Sequence, residues 1–179
     1  MNTELSERLA QLVRERSTAT LGTLRAGAPF VSMVPYAIVD DGFVIHVSRL
    51  AAHTKDMLAD ERVSLLVAEA EGGGKSPLAL ERVSVQGAAV PIASDSPVLS
   101  GLRTAYLARF PEAEQLFDFA DFSLFLIRPV SARFVAGFGE AHSLTGDSMI
   151  RALQQRQARS PKRPRLRSAP GRMRRRGRG

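Results

Sequence analysis

Between residues 18 and 47, three runs of strand-forming residues are separated only by Ala26-Gly27-Ala28-Pro29 and Asp40-Asp41-Gly42. Turns this short join antiparallel neighbours, because a parallel pair needs a crossover of a dozen residues or more. The three runs are 18–25, 30–39 and 43–47. Further strands are expected at 62–69 and 82–91, and late in the chain at 122–128 and 132–135, where Pro129 splits the run. Helices are expected at 4–16, with Leu5, Leu9, Leu12 and Val13 on one face, and at 51–60. A third is expected at 95–110, burying Leu99, Leu102, Tyr106, Leu107 and Phe110, and a short one at 147–153. About six strands with so few helices between them exclude a doubly wound sheet. They predict a mainly β protein, an antiparallel sheet closed into a small barrel with flanking helices.

With 179 residues and 44% apolar content, the chain has material for one core. Apolar periodicity stops near residue 153, so the expected folded domain is 1–153. Residues 154–179 hold Lys162 and ten arginines and no acid. Taking those 11 charges from the net +7 leaves −4 for residues 1–153. The tail has no periodic face and is expected to be disordered. It suits nucleic acid through phosphate neutralisation, without an aromatic residue for base stacking. A merely solvated tail, or one produced by an altered reading frame, would have the same composition. The absence of cysteine excludes thiol catalysis, disulfides and cysteine-bound metals. No apolar run approaches the ~20 residues that span a bilayer, so no membrane partner is expected. The N-terminal MNTELSERLAQLVRERS is charged throughout and lacks an apolar signal core, which predicts a cytoplasmic protein.

The stretch 42–67, GFVIHVSRLAAHTKDMLADERVSLLV, reads as strand, polar turn, helix and strand. Ser48, His53, Thr54 and Lys55 crowd the helix start, where unpaired N–H groups and the helix dipole favour an anion, above all a phosphate. Ordinary capping beside a solvated lysine would give the same pattern. Other motifs carry less. Gly74-Lys75-Ser76 ends like a P-loop, but position 69 is glutamate where that loop needs glycine. No G-x-S-x-G elbow supports serine hydrolysis. The three histidines, His46, His53 and His142, lack metal-site spacing, so no metal is expected. His46 is a weak candidate base or a partly buried ring, and no catalytic residue is assigned. Arg82, Ser84 and Gln86 share one strand face, which either lines a polar ligand groove or faces solvent.

The segments PFVSMVPYAIVDDGFVIHVSRLAAHTKDMLADERVSLLV and PLALERVSVQGAAV resemble the flavin-binding split-barrel proteins related to pyridoxamine 5′-phosphate oxidase. The haem-utilisation subgroup is the nearest branch. Its S-x-L-A-x-H-T-x-N-L followed by R-x-S-L-L-V is met by Ser48, Leu50, Ala51, His53, Thr54 and Leu58, then Arg62, Ser64, Leu65, Leu66 and Val67, with Asp56 in place of the usual Asn. The late ARFVAGFGEAHSL is similar to that subgroup's ending, and the resemblance spans residues 5–150. It implies a six-stranded antiparallel split barrel, a homodimer, and FMN held between subunits. By position, Ser32, Met33, Val34, Pro35 and Tyr36 would run beneath the flavin ring. Val47 and Ser48 would lie near the ribityl chain or phosphate, His53, Thr54 and Lys55 would hold the phosphate, and Arg82 would face the flavin. Ala52-His53 stand where the pyridoxamine phosphate oxidases carry Arg-Lys, and there is no tryptophan to complete their substrate site. The expectation is an FMN-dependent oxidoreductase acting on another small molecule, or a haem-binding, haem-utilisation protein on the same fold.

Overall fold

The computed structural model describes residues 1–72 and 74–154. The expected disordered tail falls on residues 155–179, outside the described residues, except that Gln154 closes the last helix. In chain order the elements are α1 (Thr3–Glu15), β1 (Thr18–Arg25), β2 (Ala28–Pro35), β3 (Ala37–Val39), β4 (Gly42–Ser48), α2 (Ala52–Ala59), β5 (Arg62–Ala68), β6 (Arg82–Pro91), α3 (Leu99–Arg109), β7 (Phe122–Gly137), β8 (Glu140–Thr145) and α4 (Gly146–Gln154). Short 3-10 helices cover Pro77–Ala79 and Pro111–Asp118. No helix among the described residues is long and apolar enough to cross a membrane.

The protein is mainly β with flanking helices, and every ladder is antiparallel, as the turn lengths require. The strand count corrects the expectation: among the described residues there are eight strands, not six, and the sheet does not close into a barrel. Pairing follows β2-β1-β5-β6-β7-β4-β3, with β8 on β7, so the sheet curls around a core without its ends joining. One added strand arises because 30–39 breaks at Tyr36. Its ring is fully buried and its hydroxyl donates to the Val13 carbonyl at 2.6 Å, which turns the chain between β2 and β3. The other is β8, the return arm of a hairpin whose tip holds Gly137 and Gly139, both at positive φ.

Pro129 does not split the late strand. β7 runs 16 residues through it because β7 bulges there: Gln86 and Gly87 pair with Ser131 and Pro129, leaving Val130 as the extra residue. Gly87 lies opposite Pro129, and a Cβ there would overlap the Arg128 carbonyl oxygen. The bulge absorbs the missing proline donor, and the glycine admits the close backbone approach.

Most strands bury one face. β5 buries Val63, Leu65 and Val67 and leaves Arg62, Ser64, Leu66 and Ala68 outside. β4 is buried along both faces. Phe43, Ile45 and Val47 enter the main core, closed by Leu5, Leu9, Leu12 and Val13 of α1 and by Met149, Ala152 and Leu153 of α4. Val44 enters a second core with Ala37, Leu102, Tyr106, Ala113 and Leu124, beneath α3 and the 3-10 helix that follows it. The side of α3 expected to be buried does pack there, with Leu99, Leu107 and Phe110 partly covered.

Gly87→Ala is expected to cost about 1–3 kcal/mol through forced backbone displacement. Gly101→Ala, where an added methyl meets open space within α3, should instead gain up to about 1 kcal/mol. Urea midpoints of the two variants test this, and an unshifted midpoint for Gly87→Ala would remove the role given to the bulge.

Candidate functional site

The turn from β4 into α2 is built by its own hydroxyls. Ser48 Oγ donates to Asp121 Oδ2 at 2.6 Å and accepts from the Leu50 N–H at 3.1 Å. The Ser48 carbonyl accepts from the Ala51 N–H at 3.1 Å and from Thr54 Oγ1 at 2.7 Å. Thr54 is fully buried, so its proton and that of Ser48 are committed to holding the turn. No side chain caps α2, whose N-cap is Ala51. Its first N–H groups and the exposed Lys55 therefore form the anion-attracting end. His53 beside them is half-buried, and burial lowers its pKa against a smaller opposing effect of Asp56.

Asp56, which stands where the family pattern has Asn, ties α2 to β1. Thr23 Oγ1 donates to its Oδ2 at 3.0 Å, and Arg25 donates through Nε and Nη2 at 3.2 Å each. Those bonds, Arg25 first, hold the carboxyl below the usual carboxylate range. The same Arg25 guanidinium lies over the Phe30 ring of β2, 3.6 Å from its centroid. One arginine thus couples the start of α2 to both strands it packs on.

The other expected site residues divide by strand alternation. Val34, Tyr36 and Val47 turn their side chains into the core, so only their backbone is available to a ligand. Met33 and Pro35 point outward, Met33 being 68% exposed. Ser32 Oγ is buried and without a hydrogen-bond partner. β2 forms one end of the pairing order, which leaves one side of its backbone unpaired in the sheet. Arg82 is half-buried and donates to the Leu80 carbonyl at 3.0 Å, on the same outer face as the exposed Ser84 and Gln86. His46 lies in the second core, stacked on Phe117 at 3.9 Å and edge-on to Tyr106 at 5.7 Å, with Nδ1 unpartnered. Burial, aided by Arg103, lowers its pKa to about 4.

A second feature is one that no local motif announces. The outer face of β2, β1, β5 and β6 holds a groove of about 470 Å³, walled by Leu24, Pro29, Val31 and Val130, with Phe30 and Val63, whose side chains alternate to the opposite face, at its border. Gly22 and Gly87 border it, and a Cβ at Gly22 would lie 2.7 Å from Ser64 Oγ across the ladder. The missing side chain keeps the groove open at that point. Arg62, Ser64 and Gln86 supply its polar edge. Met33 and Leu66 extend the exposed apolar surface of the same sheet face. The alternation in 62–68 carried the signal, but without the pairing order no residue on β1 or β2 could be set beside it.

Comparison with known proteins agrees with this architecture. The family model for pyridoxamine 5′-phosphate oxidase matches residues 5–136. The heme oxygenase HutZ of Vibrio cholerae is 29% identical over 148 residues, covering 82% of this chain and 84% of that protein. The non-canonical chloroplastic heme oxygenase HOZ of Arabidopsis thaliana is 38% identical over 122 residues, which is 68% of this chain but only 36% of that protein. The solved heme binding protein from Mycobacterium smegmatis superposes with a TM-score of 0.75 at 28% identity, over 84% of this chain and 61% of that one.

The His46 environment makes a pH prediction. The unfolded chain takes up a proton near the ordinary value of 6.5 and the folded one only near 4, so stability is full above that window and falls as pH drops through it. His46→Phe, which keeps the ring stack, should flatten the fall in melting temperature between those two pH values. An unchanged slope would place the acid sensitivity elsewhere.

Proposed function

The chain belongs to the pyridoxamine 5′-phosphate oxidase family, and we propose that it is a haem-binding, haem-utilisation member acting as a homodimer. The observation that carries this reading is the likeness to HutZ, which runs across most of both chains. HOZ and the mycobacterial protein point the same way, although this chain spans only part of each. The chemistry of the open sheet face agrees. An apolar groove within the usual 300–1,000 Å³ range of ligand sites, open where Gly22 lacks a side chain, suits a flat macrocycle better than a strongly polar cofactor. Exposed Val31, Met33, Leu66 and Val130 give that face the apolar character of a subunit contact.

Leu24, Pro29, Val31 and Val130 would exclude water from a macrocycle. Bound haem would supply the redox and oxygen chemistry through its iron, tuned by whatever ligand and polarity surround it. No histidine lines the groove, so the groove contributes walls and a polar edge rather than an iron ligand.

A flavin-dependent oxidoreductase is the second reading, favoured by one specific arrangement. The uncapped start of α2 beside Lys55 suits a phosphate, and β2 offers unpaired backbone at the sheet end for a ring edge. The absorption spectrum separates the two. Haem added to the purified protein is expected to give a saturable Soret band at one haem per subunit or per dimer. A protein that is yellow as isolated, that loses FMN on paired His53→Ala and Lys55→Ala substitution and that gives no Soret band would overturn the haem reading.

Gly22→Leu should weaken haem binding by about tenfold or more by filling the groove. Ser64→Ala added to it relieves the 2.7 Å approach, which separates groove blockage from misfolding. Wild-type affinity in a folded double variant would move the site off this face.

A further inference from the structure

The groove holds one charged residue among its lining, Arg62, and that residue is already oriented. Arg62 opens β5 two residues after Asp60, the C-cap of α2. Asp60 Oδ1 accepts from the Arg62 backbone N–H at 3.0 Å and from Nε at 2.9 Å, while Oδ2 accepts from Nη2 at 2.5 Å. The guanidinium is therefore held along its Nε–Nη2 edge. Its Nη1 edge makes no hydrogen bond among the described residues, and the side chain is 76% exposed. A guanidinium has five N–H donors in a fixed plane, so a second carboxylate can bind the remaining edge while Asp60 keeps the first. Apolar walls with one pre-oriented guanidinium at the edge match a flat apolar body that carries a carboxylate.

We propose that Arg62, held by Asp60, is the specificity-determining contact of this groove and takes one carboxylate of a planar, acid-bearing macrocycle. This deepens the haem reading and rests on it. Because the fork is fixed before the ligand arrives, less side-chain freedom is lost on binding than for a free arginine. Ser64 and Gln86 lie further along the same edge, and Gln86 already accepts from Ser131 Oγ at 3.0 Å, which leaves Arg62 as the groove's cationic partner.

Haem and its dimethyl ester, in which both carboxylates are blocked, are titrated by Soret absorption into the full-length wild type, Arg62→Gln and Asp60→Asn. Arg62→Gln should weaken haem by roughly tenfold and leave the ester unchanged. Asp60→Asn, which retains the Oδ1 acceptor for the Arg62 N–H but loses the charge-assisted fork, should weaken haem less and likewise spare the ester. Arg62 is exposed, so circular dichroism should show both variants folded. If wild-type protein binds haem but Arg62→Gln does so equally well, or loses haem and ester alike, the Arg62 assignment fails while the haem reading stands. If the wild type binds no haem, both fail together.

Discussion

A single carboxylate, Asp56, sets the relation between helix α2 and the sheet. Thr23 and Arg25 of β1 both donate to it, and Arg25 reaches on to the face of Phe30 on β2. α2 has only eight residues and no side-chain cap, so little within the helix holds it in place. What fixes it is this tie together with the Ser48–Thr54 turn behind its first residue. Helix α2 and the strands β1 and β2 thus belong to one connected unit. A neutral side chain at position 56 would keep the shape but lose the ionic part of the bond to Arg25, most of which depends on a carboxylate that is ionised at neutral pH.

β7 and β4 organise the rest. β7 pairs with β6 along its length, with β4 over its first part and with β8 over its last. The chain can turn at Pro129 without ending the strand only because Gly87 stands opposite. β4, covered on both faces, separates the main core from the smaller core beneath α3. The outer face of β1, β2, β5 and β6 is not covered in this way, which is why the groove lies there.

Much of the fold was legible because its signals are local. The face formed by Leu5, Leu9, Leu12 and Val13 predicted α1, and the two short turns predicted the antiparallel hairpins. The departures share one cause. Pro129 reads as a strand breaker unless its partner is known to be Gly87, which lies 42 positions away in the chain. Residues 30–39 read as one strand because the break at Tyr36 depends on a hydrogen bond to Val13. β8 alternates weakly, with Leu144 as its one buried apolar residue. In the site, Ser48 and Thr54 read as free hydroxyls, and only the folded turn shows their protons committed to Asp121 and to the Ser48 carbonyl.

The sequence by itself determined that the sheet is antiparallel, where its turns and main helices fall, and which family the Ser48–Val67 spelling resembles. Those properties rest on neighbouring residues, through turn length, apolar period and motif spacing. Tertiary structure alone decided that Asp56 would meet Arg25, that Val34 and Tyr36 would face inward, and that Gly22, Ser64 and Gln86 would line up across three strands to border a groove. Those outcomes depend on register between strands far apart in the chain. A one-residue shift of register would turn each of these side chains to the opposite face.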